Sequence, residues 1–289
     1  MAEKREIDAH SGMETTGHEW DGIRELNTPL PRWWLWTFLA TIVWAVGYMI
    51  AMPAVPLVDS FTKGMLGYSS RGTVKAELQE AAAAQQVWRD KIAATDLAAI
   101  EQDPELFNFA LAGGRSAFGV NCAQCHGSGA AGSKGYPNLN DDDWLWGGSL
   151  EQIHQTLTVG IRSTHAETRV NVMAAYLKDG ILTAAQVADV AEYVLSLSGQ
   201  ATDPVAAERG LAVFAEQCVA CHQEGGTGSA ELGAPDLTDA VWLFGGSKAE
   251  IVQTVANGRG GVMPSWAGKL SPETLKMLTV YVHALGGGE

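Results

Sequence analysis

Two stretches decide how this chain is read: "VNCAQCHGSG" at Val120–Gly129 and "EQCVACHQEG" at Glu216–Gly225. Each holds Cys-x-x-Cys-His, with Cys218 lying 96 residues beyond Cys122. Cys-x-x-Cys alone is compatible with half a zinc site or with a thiol–disulfide pair, and the adjacent His makes covalent haem attachment the leading reading. In that chemistry the two thiols add to the haem vinyl groups as thioethers and the neighbouring imidazole ligates the iron, so the spacing itself is the mechanism. All four cysteines of the chain lie in these two clusters, and a zinc site would therefore need each cluster to recruit the other. A redox disulfide gives no reason for His at the fifth position in both. The expectation is two haem c groups, attached through Cys122 and Cys125 and through Cys218 and Cys221, with His126 and His222 as proximal ligands.

Working outward, the clusters prove to be landmarks of a duplication. Gly114 and Phe118 precede Cys122 as Gly210 and Phe214 precede Cys218. Downstream, "PNLNDDDWLWGGSLEQI" from Pro137 matches "PDLTDAVWLFGGSKAEI" from Pro235, pairing Trp144 with Trp242. Each copy closes on an amphipathic helix. Thr183 opens one with Gln186 as a capping box, and Val187, Val190, Ala191 and Val194 form its apolar stripe; Ser271-Pro272-Glu273 opens the other, with Leu275, Leu278 and Val282. No convincing strand run appears, so the soluble part is expected to be all-α.

The sixth iron ligand decides whether such a site transfers electrons or binds small molecules, because Met/His ligation raises the potential and leaves no open position. In the second copy Met263 sits in the glycine-rich loop "GRGGVMPSWAG" and is followed by Pro264. In the first, "RVNVMAAYLKDG" offers Met173, followed by Ala174, with His165 in the preceding loop as the alternative ligand. His154 falls in "LEQIHQTL", which reads as helix. The sequence thus pairs Met173 with the first haem and Met263 with the second. Each proximal His also needs a partner for its other ring nitrogen. Pro137 and Pro235 follow the clusters closely enough for a backbone carbonyl to take that role, as a Pro carbonyl does in the class I cytochromes c that both copies resemble. Trp144 and Trp242 are expected beside the haems, a position that plain core packing explains equally well.

Ahead of the copies, residues 33–52 read "WWLWTFLATIVWAVGYMIAM" without a charge. At about 1.5 Å per residue this run spans roughly 30 Å, the thickness of a bilayer's hydrocarbon core. Trp33, Trp34, Trp36 and Tyr48 suit interfacial belts. A signal peptide would open with a short basic start, whereas here a polar, net-acidic segment of 32 residues comes first. Arg24 and Arg32 on one side are balanced by Lys63 and Arg71 on the other, so charge does not orient the helix; haem attachment of this type, which occurs outside the cytoplasm, places residues 1–32 inside and the haem copies in the periplasm. The expected layout is an N-terminal segment 1–32, a transmembrane helix 33–53, a connector with helices 54–104, and cytochrome c domains 105–200 and 201–289. The formal charge of −14, from 33 acids and 19 bases, argues against nucleic acid and favours attraction of a basic partner.

The order of features, with "LGYSSRG" (Leu66–Gly72) and "FALAGG" (Phe109–Gly114) between the tryptophan-rich helix and the two copies, resembles the CcoP/FixP family, the dihaem subunits of cbb3-type cytochrome c oxidases. The resemblance covers nearly the whole chain. It implies an all-α fold, one N-terminal membrane helix followed by two tandem class I cytochrome c domains, in a bacterial inner membrane. It further implies a relay role: electrons taken from a soluble or membrane-bound cytochrome c donor and passed to a mono-haem cytochrome c subunit and a haem-copper catalytic subunit, the chain itself carrying no catalytic residue. A dihaem peroxidase and a dihaem subunit of another membrane dehydrogenase are the competing readings.

Overall fold

The computed structural model describes residues 6–287; residues 1–5 and 288–289, the outermost parts of the expected N-terminal segment and second cytochrome domain, lie outside the described residues. The chain divides after Ala83 into two compact bodies.

The first body opens with a hairpin, β1 (Thr15–Trp20) and β2 (Ile23–Leu26), paired antiparallel with Trp20 opposite Ile23. This corrects the expectation that no strand run occurs. Asp21 (φ 51°) and Gly22 (φ 83°) form the two-residue turn, and Asp-Gly is among the best sequences for the two left-handed positions such a turn requires. Arg24 on β2 holds Glu19 on β1 at 2.9 Å. The strands are short and mostly exposed, which leaves no alternating apolar pattern to find. Helix α1 (Arg32–Ala51) follows, with no residue buried, and is long and apolar enough to cross a membrane. Helix α2 (Ser70–Ala94) begins within the expected connector; its Ala-, Glu- and Gln-rich sequence suits a helix that is solvated for most of its length.

Among the described residues the regular elements of the second body are all helices: the end of α2, α3 (Leu97–Gln102), α4 (Pro104–Asn121), α5 (Ala123–His126), α6 (Leu150–Val159), α7 (Ala184–Leu197), α8 (Pro204–Gln217), α9 (Val219–His222), α10 (Lys248–Asn257) and α11 (Pro272–His283), with a 3-10 turn at Glu224–Gly226. Its helix starts follow capping rules. Asp103 and Asp203 cap α4 and α8 with Pro in the first turn, and Ser149, Thr183 and Ser247 each form a reciprocal capping box with the Gln or Glu three residues on.

The helix pairing cuts across the two copies. Helix α4, which opens the first copy, packs on α11, the last helix of the second; α8, which opens the second copy, packs on α7, the last helix of the first. Phe118 of α4 meets Tyr281 of α11 at 5.5 Å between ring centroids, and Phe214 of α8 meets Tyr193 of α7 at 4.9 Å. Both contacts need a glycine. A Cβ on Gly114 would lie 2.2 Å from the Met277 carbonyl oxygen, and one on Gly210 would lie 2.1 Å from that of Asp189. One buried cluster accordingly joins Phe118, Ile153 and Leu157 to Leu275, Leu278 and Val282, while another joins Val187, Val190 and Val194 to Phe214, Ile251 and Val255. The sequence repeats 105–200 and 201–289 therefore do not coincide with the packed units, which are α4–α6 with α11 and α7–α10.

Candidate haem sites

Both Cys-x-x-Cys-His motifs are built alike. Cys122 ends α4 and heads α5, its N–H donating to the Phe118 carbonyl at 2.8 Å, and its carbonyl accepts from Cys125 and His126 at 3.1 and 3.0 Å. Cys218 does the same between α8 and α9, with distances of 2.8, 3.1 and 2.9 Å. Residues three and four apart share one face of a helical turn, so each motif directs two sulfurs and an imidazole the same way. The sulfur atoms here are free thiols, standing where thioethers would be after haem attachment. Burial, reinforced by the neighbouring cysteine, pushes the Cys122 and Cys218 thiols up to about 11.

The chain then returns over each imidazole. The Gly132 N–H donates to the His126 carbonyl and the Gly228 N–H to the His222 carbonyl, while Leu139 and Leu237 are tied back to Ala130 and Gly226. These bonds set the carbonyl oxygens of Pro137 and Pro235 each 3.1 Å from Nδ1 of His126 and His222. A carbonyl can only accept, so Nδ1 carries the proton and the Nε2 lone pair is left for a metal. Burial lowers both histidines from their ordinary value, the carbonyl bond acting in the opposite direction, and a lowered value favours the neutral ring that a metal ligand requires. The second-sphere role expected of Pro137 and Pro235 thus has its geometry. Trp144 packs on the cluster holding Cys122 and donates from Nε1 to the Gly287 carbonyl; Trp242 packs on the cluster holding Cys218.

The methionines are placed differently from the sequence expectation. Met263 packs against the buried cluster of Phe118, Leu157 and Leu278, which Cys122 of the first motif, Leu139 and Trp144 also flank. Met173 packs against the cluster of Phe214, Leu237 and Ile251, which Cys218 of the second motif and Trp242 also flank. The loops that bring them there cross between the copies: Ile161 and Met263 exchange two backbone hydrogen bonds at 2.9 and 3.0 Å, and Met173 and Arg259 exchange two at 3.0 and 3.1 Å. This grouping is the reverse of the expected one, which set Met173 with the first motif and Met263 with the second, because each copy's closing loop and helix pack on the other copy. His165 accepts a hydrogen bond on Nδ1 from the Glu167 N–H at 3.1 Å within its own loop, and His154 lies in α6 as expected.

The donor set fits covalent haem: paired sulfurs and an oriented imidazole on one face, with a thioether in the same apolar cluster. Among the described residues no group of three or more His, Cys, Asp and Glu side chains is gathered as a structural zinc site would need. Signals overlooked in the sequence lie on the closing helices, where α7 carries Asp189 and Glu192 at positions α11 fills with Met277 and Val280.

Known proteins agree along the whole chain. Residues 12–59 match the N-terminal domain of cytochrome oxidase-cbb3, FixP; residues 111–198 match cytochrome c; and residues 205–282 match cytochrome C oxidase, cbb3-type, subunit III. The chain is 56% identical to the cbb3-type cytochrome c oxidase subunit FixP of Bradyrhizobium sp. (strain ORS 278), with both chains covered completely. It is 51% identical to the CcoP subunit of Cereibacter sphaeroides over 95% of each chain, and 51% identical to that of Azospirillum brasilense over the full length of both. Two Cys-x-x-Cys-His sites with oriented histidines, an apolar N-terminal helix and this full-length similarity lead to one conclusion: the chain belongs to the FixP/CcoP family, the dihaem cytochrome c electron-transfer subunits of cbb3-type cytochrome c oxidases.

Proposed function

We propose that within the oxidase this chain is the receiving arm, taking single electrons from a cytochrome c donor and passing them to a mono-haem cytochrome c subunit and the haem-copper catalytic subunit. Bound haem c supplies the one-electron redox chemistry. The chain's residues would supply the rest: Cys122, Cys125, Cys218 and Cys221 would hold the groups covalently, and His126, His222, Met173 and Met263 would serve as the iron ligands. The observation that carries this reading is the duplicated His Nδ1–Pro carbonyl contact with a methionine in the same apolar cluster. Closed sites of this kind leave no position for oxygen or peroxide, so the chain performs no substrate chemistry alone. Residues 6–31 lie in the cytoplasm, α1 spans the bacterial inner membrane once, and the haem-bearing body lies in the periplasm, where c-type haem is attached.

The test is purification of the full chain from membranes in mild detergent. The expected preparation contains b-type haem, copper and a mono-haem cytochrome chain, and the reduced c haems do not bind carbon monoxide. Absence of b haem and copper would contradict the oxidase assignment, and carbon monoxide binding at a c haem would contradict closed ligation.

A further inference from the structure

The stretch between α1 and α2 carries apolar surface and charge that electron relay does not use. Between Arg32 and Glu77 the sequence holds a single acid, Asp59, and the cations Lys63, Arg71 and Lys75 follow it, so a chain of formal charge −14 turns locally basic just past its apolar helix. We propose that residues 53–68 form an interfacial foot: a folded loop seated in the headgroup zone of the periplasmic leaflet, with apolar side chains at the acyl boundary and Lys63 and Arg71 at the level of the lipid phosphates. The partner of this surface is an anionic phospholipid bilayer. This rests on the reading that α1 spans the membrane, and adds a second contact with it.

The loop is tied to the helix end. An α-helix leaves its last four carbonyls without intrahelical partners, and next to hydrocarbon such groups must be satisfied by the protein itself. Here the Met65 N–H donates to the Ile50 carbonyl and the Leu66 N–H to the Ala51 carbonyl, both at 3.0 Å, while the Met52 N–H takes that of Tyr48 at 2.8 Å. Gly64 permits the return: its φ is +68°, and a Cβ there would run into the Ala51 carbonyl. The loop also closes on itself. The Thr62 N–H donates to the Val55 carbonyl at 2.9 Å, Thr62 Oγ1 accepts from the Val55 N–H at 3.0 Å, and the Leu57 N–H donates to the Ser60 carbonyl at 2.7 Å, around a tip at Val58 and Asp59. The whole loop is therefore held at the level where α1 ends.

What it presents there is apolar. Val58 is fully exposed, Met65 is 82% exposed, and Leu66 and Phe61 are 69% and 61% exposed. Single exposed apolar residues are ordinary, whereas a run of them on a fixed loop marks an interaction surface. This surface continues that of α1, none of whose residues is buried, so the lipid that covers the helix reaches the loop without a break. The 20 residues of α1 already span about 30 Å at 1.5 Å per residue, which sets the loop at the edge of the hydrocarbon. That depth suits aromatic rings such as Phe61 and Tyr68, and Lys and Arg whose stems lie along apolar surface while their charges reach outward. Exposed apolar residues beside unopposed cations are the pattern that binds anionic lipid. Helix α2 starts at Ser70, four residues beyond Leu66, and so begins at a fixed height above the bilayer instead of on a free tether.

The experiment uses the full haem-loaded chain in vesicles of phosphatidylethanolamine and phosphatidylglycerol, with a nitroxide label at Val58→Cys; the four native cysteines, held in thioethers, do not take the label. Power-saturation EPR reads collisions with oxygen, which concentrates in the bilayer, and with a water-soluble nickel chelate, which does not enter it. Labels at Val43→Cys in α1 and at Val205→Cys on α8 give the membrane and aqueous references. The expected oxygen-to-nickel ratio at residue 58 is several-fold above that at residue 205. A ratio equal to that at residue 205 overturns the proposal while residue 43 still reads as membrane; an aqueous reading at residue 43 overturns the spanning helix itself. A water-like label in vesicles that is shielded from both reagents in the purified oxidase would give this surface to a partner subunit, and overturns the lipid contact. The cations have a separate readout. Lys63→Glu with Arg71→Glu should lower the ratio at residue 58 in these vesicles and leave it unchanged in vesicles of phosphatidylcholine alone; an equal fall in both, or none in either, overturns the contact with anionic headgroups.

Discussion

At the level of single residues the haem sites depend on backbone approaches as much as on ligands. Gly160 adopts φ +71° and lies against the Met263 carbonyl. A left-handed conformation costs a residue with a Cβ roughly 1–2 kcal/mol, and here the added carbon also meets rigid backbone. Gly160→Ala is therefore expected to lower stability by at least about 1–2 kcal/mol, read as thermal midpoint, and to weaken a methionine–iron absorption although Gly160 belongs to the copy that does not supply that methionine. The cysteines make a simpler prediction: Cys122→Ala with Cys125→Ala halves the covalent haem measured as pyridine haemochrome, and a chain still holding two haems would refute attachment there. These residues were legible because thioether attachment and imidazole ligation fix types and spacing locally. The Pro137 and Pro235 carbonyls were legible by resemblance and have no side-chain signature of their own.

At the level of elements, capping and periodicity place the closing helices α7 and α11 in the sequence, since a helix start is decided by groups three or four residues apart. The hairpin at Thr15–Leu26 was missed because its strands are exposed and carry no alternating pattern; its signal was the Asp21-Gly22 turn. Glu192 offers a test of the α7–α8 contact. Its bonds to Lys248 and Thr202 hold its carboxyl well below the ordinary 4.5, at about 2. Because the folded value is depressed, the contribution is fully present above about pH 4.5 and disappears as pH falls toward 2. Glu192→Gln should lower the thermal midpoint at pH 7, by about 1–3 kcal/mol in stability for the disrupted buried bonds, and the gap between variant and wild type should close on acidification through that window. A gap that does not change with pH would assign the loss to packing instead of charge.

At the level of the whole molecule, a formal charge of −14 gives long-range attraction for a basic donor, an interaction screened beyond about 8 Å at physiological ionic strength. The rate of reduction by a basic cytochrome c should fall steeply as salt rises, measured by stopped flow; a flat dependence would exclude steering by net charge. Within the second body the two copies also touch directly, with Lys134 paired to Glu250 at 2.5 Å and the Gly135 N–H donating to the Leu243 carbonyl at 2.8 Å. The sequence by itself determined the cofactor, its attachment residues, the apolar helix, the duplication and the family, because those features depend on composition and on neighbours within a few residues. Only the tertiary structure decided which closing helix serves which copy. Two repeats with interchangeable haem motifs allow both connectivities, and the choice falls to buried groups such as Glu192, held by the Thr202–Asp203 turn and by Lys248, and Val280, packed in one cluster with Ile92 and Ile100 far back along the chain.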